Sequence, residues 1–310
     1  MNKKNTGIKK VYIAAISYAF IIGFSFLSTK IALSVSSNPL DILAYRFTAA
    51  FIAVLMLMLF KFVKLNYSKE TIKKIIPLAL LYPMAFFSFQ TFGLQYASSS
   101  EAAIISASAP IFILILAKVF INEQTNIQQK LSIVISVSGV IYITLMKGSS
   151  FEFNNIKGIA LLLLSNLALA GYSVMARILT KKFTNIELSF MMIIISFLVF
   201  NIIAVSNHLA NGTIGDFIYP LSDIKFIFAI IYLGVLSSLV SSLMTNYVLS
   251  KMEASKMSVF SNLGTVISII AGVVVLNEKV FYYHIIGSIL IVGGVIGTNF
   301  LGKTKSGSSD

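Results

Sequence analysis

Residues 106–123, SASAPIFILILAKVFINE, return in altered form as residues 261–278, SNLGTVISIIAGVVVLNE. Each copy is apolar, helix-length and ends in Asn-Glu. In both, a short polar break follows, then a second apolar run carrying a glycine. The match widens to residues 90–139 and 245–294 when the numbering is shifted by 155. Phe92 then meets Tyr247, Leu94 meets Leu249, Ser100 meets Ser255 and Gly139 meets Gly294. A likeness of this size inside one chain points to one architectural unit used twice.

Composition says where that unit lives. The chain has 310 residues, 57% of them hydrophobic and only 11% charged, against roughly 25% charged in a soluble domain. Too little polar surface is available to face water, so the excess apolar surface faces lipid. The chain has no cysteine, which excludes disulfides, a thiol nucleophile and iron–sulfur chemistry. The net charge of +13 is spread between apolar runs and forms no single stripe. It reads as a membrane-topology signal, and no nucleic-acid partner is expected.

Ten apolar runs are each long enough to cross a bilayer as a helix. They cover residues 11–33, 42–60, 75–95, 102–121 and 127–146, then 156–179, 188–205, 224–249, 257–276 and 281–301. The expected fold is an all-α polytopic membrane protein of ten transmembrane helices in two five-helix repeats, 11–146 and 156–301. Residues 1–10 and 302–310 read as polar, mobile cytoplasmic tails, and residues 206–223, with Asn, Gly and Asp, as an exposed loop. The lysine-rich start mimics a signal peptide. Nine further runs and the lack of a small-residue cleavage site make it an uncleaved first helix.

Lysines fix the expected orientation. With the N-terminus in the cytoplasm, seventeen lysines fall inside and four (Lys147, Lys157, Lys225 and Lys279) fall outside. Both ends are then cytoplasmic, in the cell membrane. Five crossings per repeat turn the second copy upside down, with Glu123 inside and Glu278 outside. Inverted repeats are a mark of secondary transporters. The starts of the halves also match, at a shift of 147: residues 23–30, GFSFLSTK, lie on residues 170–177, AGYSVMAR, with Lys30 on Arg177.

These features resemble the EamA-type transporters of the drug/metabolite transporter superfamily. The residues that carry the resemblance are GFSFLSTK, Pro39, Arg46, Leu94, Pro110, Asn122, Glu123 and Gly139, with Arg177, Leu249, Asn277, Glu278, Gly287 and Gly294 in the second half. The resemblance covers nearly the whole chain. It implies ten helices, cytoplasmic ends, a central cavity shared by both halves, and export of amino acids, related metabolites or drugs. Two departures stand out. The Pro110 position is Thr265 in the second copy, preceded by Gly264, and the first helix lacks the buried Glu that small multidrug-resistance relatives use for proton coupling.

No run carries an Asp or Glu near its middle. This weakens an acid-based proton relay and a preference for lipophilic cations. Glu101 is the least poor proton site, although a first-turn acid also complements a helix dipole. Lys30, Arg46 and Arg177 form a candidate anion site; the plainer alternative is snorkelling to the interface. Ser25, Ser28, Gln90, Ser106, Asn166, Tyr172, Asn246 and Asn262 are the candidate substrate contacts, since polar groups inside apolar helices must face the bundle interior. Helix-to-helix hydrogen bonding competes with that reading.

Phe86, Phe89, Phe92 and Tyr247 could wall a pocket or simply pack. Pro110, which frees the carbonyl of Ser106, and Gly264 are expected hinges in helices four and nine. Glu123 and Glu278 read chiefly as helix-start caps. Ser132, Ser136, Gly139, Gly287, Gly293 and Gly297 mark helices five and ten as close-packed scaffold. His208 and His284 have no metal-ligand spacing and read as interface residues; neither a metal nor a cofactor is expected.

The expected function is a secondary transporter exporting a small zwitterionic or anionic metabolite by alternating access. A membrane-embedded enzyme on lipid-linked substrates would need a His, Asp or Glu cluster at one interface. A non-transporting scaffold has no positive feature. A homodimer is left open.

Overall fold

The computed structural model describes residues 3–60, 69–97, 102, 105–106, 108–147, 153–276 and 281–300. The 302–310 tail, Ser100, Glu101, Asn277 and Glu278 lie outside the described residues. Regular structure among the described residues is all helical. Helix α1 (Lys3–Val35) leads to α2 (Pro39–Leu59), whose first turn is capped by Asn38, with Oδ1 accepting from the Leu40 N–H at 3.1 Å. Then come α3 (Lys69–Ala79), α4 (Phe86–Tyr96), α5 (Ala109–Ile121) and α6 (Ile127–Lys147). The second half begins with α7 (Phe153–Leu179) and α8 (Asn185–Asn211). A short α9 (Ile214–Ile218) precedes α10 (Ile224–Ile231), α11 (Ser241–Lys251), α12 (Ala254–Leu276) and α13 (Tyr282–Phe300).

Wide π-helical turns join α3 to α4 (Leu80–Ala85) and α10 to α11 (Tyr232–Val240). At the shift of 155 the first falls on residues 235–240, inside the second. In the first turn the cause is Pro83, which has no N–H to continue the ladder, and Tyr82 takes an extended conformation (φ −143°, ψ 125°). In the second, hydroxyls take up displaced carbonyls. Ser238 Oγ donates to Leu233 O at 2.9 Å, and Ser241 Oγ to Ser237 O at 2.6 Å.

Among the described residues six helical segments are long and apolar enough to cross a membrane: Ile8–Val35, Pro39–Leu59, Ile72–Tyr96, Ile156–Leu179, Asn185–Asn211 and Ile224–Lys251. Ala109–Ile121 and Ile285–Thr298 are shorter apolar helices. The bundle turns large apolar side chains outward and buries polar ones within its largely apolar core. Leu59, Val119, Ile202 and Ile289 are exposed, whereas Ser196, Ser237, Asn166, Asn246 and Asn262 are buried. Such a surface is stable against lipid and would aggregate in water.

The halves share contacts in exchanged pairs. A Cβ on Gly139 would meet Gly287 O at 2.7 Å, and one on Gly294 would meet Ser132 O at 2.5 Å. Gly139 and Gly294 are equivalent positions, as are Ser132 and Gly287. The α6–α13 crossing therefore repeats itself when the halves are swapped. Likewise α1 packs on α12 as α7 packs on α5, and α1 on α11 as α7 on α4. Helices α2 and α8 run together along stacked rings, Phe51 on Phe197 (4.2 Å between centroids) and Phe47 on Phe200 (5.2 Å).

Two expectations change. α1 starts at Lys3 rather than Val11, because lysine and asparagine carry no helix-breaking geometry and extend a helix already formed behind them. The loop expected at residues 206–223 is largely helical: α8 runs to Asn211, ends on Gly212 in the left-handed region (φ 67°), and is followed by α9 and a 3-10 turn, Tyr219–Ser222. α12 continues through Gly264, one of the expected hinges. A Cβ at Gly23 would lie 2.8 Å from Gly264 O, so these glycines let α1 and α12 approach.

Candidate functional site

Arg46 lies about two turns into α2 and is 1% exposed. It is brought against the second π turn by Gly234, where a Cβ would sit 2.6 Å from both Arg46 O and Ala49 Cβ. Only a hydrogen at that position lets the two backbones come so close. Arg46 Nε then donates to Ser238 Oγ at 2.7 Å, and its NH2 donates to Ser237 Oγ at 2.9 Å and Ser237 O at 3.3 Å. The guanidinium lies over the Phe87 ring, 3.6 Å from the centroid. Among the described residues no carboxylate pairs with it, and no hydrogen bond is made by its NH1. Burying an unneutralised cation is costly, so the serines and the ring offset only part of the lost hydration.

The site continues across the seam through aromatic rings. Tyr82 lies 5.2 Å from Phe87 and stacks on Tyr172 at 4.5 Å. Tyr172 OH donates to Asn246 Oδ1 at 2.9 Å, and Asn246 Nδ2 donates to Ser189 Oγ at 2.8 Å. Arg46, Tyr82 and Phe87 belong to the first half; Tyr172, Ser189, Ser237, Ser238 and Asn246 belong to the second. The result is a polar, aromatic-walled centre that carries one fixed positive charge.

The remaining sequence candidates fall elsewhere. Lys30 Nζ donates to Leu94 O at 2.7 Å, and Arg177 NH1 to Leu249 O at 2.5 Å. These are the same contact in the two halves, each cation capping carbonyls at a helix end. Ser25 and Ser28 donate back to their own helix, to Ile22 O at 2.8 Å and Phe24 O at 3.0 Å. Asn166 Nδ2 donates to Ile105 O at 2.8 Å and to Ser108 Oγ at 3.0 Å, just ahead of Pro110 in the first turn of α5. The carbonyl captured there is that of Ile105 rather than Ser106. Asn262 Nδ2 donates to Ser136 Oγ at 2.7 Å. Gln90 is buried and Ser106 half-buried. Asn166 Oδ1 and Asn262 Oδ1 are buried with no hydrogen-bond partner among the described residues.

Sequence reading missed Phe87, Tyr82, Ser189, Ser237 and Ser238. A signal for the last two was present: Ser237 and Ser238 occupy the positions of Tyr82 and Pro83 at the shift of 155. It also missed a buried pair at the α2–α8 end, where His208 Nε2 lies 2.9 Å from Asp41 Oδ1 and Nδ1 lies 2.7 Å from Thr213 Oγ1. Outside the long spans, Glu123 Oε2 accepts weakly from Ser255 Oγ at 3.4 Å, linking the halves. Burial, and then the neighbouring Glu253, push the Glu123 carboxyl up from the usual range. Among the described residues no group of three or more His, Asp or Glu could hold a metal ion.

The chain matches a model of the EamA-like transporter family twice, over residues 9–145 and 156–300. It is 50% identical to the uncharacterized transporter YcxC of Bacillus subtilis, over 93% of this chain and 92% of that protein. An uncharacterized transporter of Archaeoglobus fulgidus is 29% identical over 93% of this chain and 98% of its own length. A WAT1-related protein of Arabidopsis thaliana is 26% identical over 92% and 79%. A solved crystal structure superposes with a TM-score of 0.74 at 16% identity, covering 94% of this chain and 99% of its own, which establishes a shared fold.

Proposed function

Since the chain belongs to the EamA-like transporter family, and is a multi-pass membrane transporter rather than an enzyme, we propose that it exports a small metabolite by alternating access. The cargo is an amino acid or a related zwitterion or anion. The ten apolar runs are read as ten crossings of the cell membrane, in two five-helix repeats of opposite orientation, with both ends in the cytoplasm. The lysine asymmetry supports that orientation, and an odd number of crossings per repeat inverts the second copy.

The observation that carries the reading is Arg46, a buried guanidinium whose hydrogen-bond partners are drawn from the other repeat. A site built by both repeats opens to one side or the other as they rock about it. Arg46, Tyr172 and Asn246 are the proposed substrate contacts; Ser25, Ser28, Gln90, Ser106, Asn166 and Asn262 line the route as it opens, with Pro110 as a point of flexure. The test is a metabolite profile of cells overproducing the protein against cells lacking it. The expected result is enrichment of one class of small acid or amino acid in the medium of the overproducer. Identical profiles, with the protein present in the membrane, would count against export.

A further inference from the structure

We propose that the exported species is a net organic anion, with one carboxylate-like head and no compensating ammonium group, and that the membrane potential alone drives it out. The inference rests on the transporter reading and narrows it.

Charge at the seam is the first argument. Arg46 is the one charged side chain among the residues that build the centre, and it is buried without a carboxylate partner among the described residues. Its Nε and NH2 are engaged by Ser238 and Ser237. The NH1 edge is left to meet an acceptor end-on. The phenols of Tyr82 and Tyr172, with an ordinary pKa of about 10, stay protonated and add no negative charge. An ammonium group finds no carboxylate counter-charge among the residues that build the centre. The site thus offers a carboxylate a full opposite charge and offers a zwitterion's second charge none.

The second argument concerns energy supply. The nearest acid along α2, Asp41, precedes Arg46 by five residues, which is about 140° around the helix. It points to the rim, where His208 and Asn38 hold it. Other titratable groups around that rim are Tyr45 on α2, Asp216 on α9, whose charge acts on Asp41, and Asp223 and Lys225 at the start of α10. None is among the residues that build the centre, so no described carboxylate there can exchange a proton for cargo. A monovalent anion needs no such exchange. Moving it from a negative cytoplasm to the outside is downhill by a factor of about 50 per 100 mV.

The test uses the full chain in liposomes with a potassium-diffusion potential of either sign and equal pH on both faces. The probes share one ring: benzenesulfonate (anion), phenylalanine (zwitterion) and benzyltrimethylammonium (cation). Benzenesulfonate should bind, seen as a rise in unfolding temperature, and its distribution should follow the sign of the potential toward about 50-fold per 100 mV. Arg46→Gln should weaken that binding at least about 10-fold. If this variant does not fold, the wild-type ranking of the three probes decides alone. Flux of phenylalanine without benzenesulfonate overturns the anion inference and leaves the transporter reading standing. So does flux that follows a pH difference and ignores the potential. Binding without movement of any probe overturns the transporter reading itself, and neither binding nor movement of benzenesulfonate overturns the inference.

Discussion

The same kind of cation, an arginine or lysine inside an apolar helix, does opposite things in two parts of this molecule. Lys30 and Arg177 occupy equivalent positions and make equivalent contacts, to Leu94 O and Leu249 O. Arg46 has no such twin: at the shift of 147 its position in the second half is Ile193. Contacts that both halves repeat hold the scaffold together. A costly group kept in only one half has no scaffold duty to explain it, which makes it the better marker of function.

The largest expected effect breaks the comparison directly. Arg46→Gln should reduce efflux by about 100-fold or more while leaving the unfolding temperature unchanged or raised, because a buried, unpaired charge is removed. Lys30→Gln or Arg177→Gln should do the reverse, costing about 1–3 kcal/mol of stability with efflux within about threefold of wild type. Flux measurements with thermal unfolding on the same preparations separate the two patterns. Equal loss of flux in all three would erase the distinction.

Glycine substitutions come next. Gly234→Ala places a methyl group 2.6 Å from Arg46 O and should push α2 off the serines, reducing efflux about 10-fold with about 1–3 kcal/mol of strain. Gly139→Ala and Gly294→Ala meet backbone at 2.7 and 2.5 Å. Both should destabilise by a similar amount, since they sit at one repeated crossing. A large cost at one and none at the other, in denaturation midpoints, would show that the crossing is not shared evenly. A smaller effect belongs to Tyr172→Phe, which removes one hydrogen bond to Asn246 and should cost about 0.5–1.5 kcal/mol.

The smallest prediction concerns pH. Glu123 binds its proton more tightly in the folded protein than its ordinary 4.5 implies, because burial and Glu253 disfavour the charged form. The folded state then holds more protons than the unfolded one in that interval, so its stabilising share is complete below about 4.5 and is lost as pH rises through the folded value. Glu123→Gln should therefore raise the unfolding temperature at neutral pH, with the gain vanishing in acid. A gain independent of pH would remove the linkage.

Much of the fold was legible because repetition and apolar length are one-dimensional properties. The 155-residue shift anticipated that Gly139 and Gly294 would be equivalent, and the helical character of the runs follows from their composition. Boundaries at residues 1–10 and 206–223 were misplaced because polar composition alone does not stop a helix; Gly212 does. The site was only partly legible. Arg46, Tyr172 and Asn246 were visible as polar residues in apolar runs. Which of three cations faces the seam depends on rotation about each helix and on the close approach at Gly234, and neither is written in residue type. Tyr82 and Phe87 were hidden among many aromatic residues until the π turn aimed them.

The account depends most on two repeats that face opposite ways across the membrane. The chain has no cysteine, so a single introduced one is an unambiguous reporter. Asn122→Cys and Asn277→Cys mark the same point in the two repeats, and a membrane-impermeant thiol reagent added to intact cells reads their sides. The predicted result is labelling at 277 and protection at 122 until the membrane is permeabilised. Labelling of both from outside, or of neither, would contradict inversion and with it the shared site at the seam.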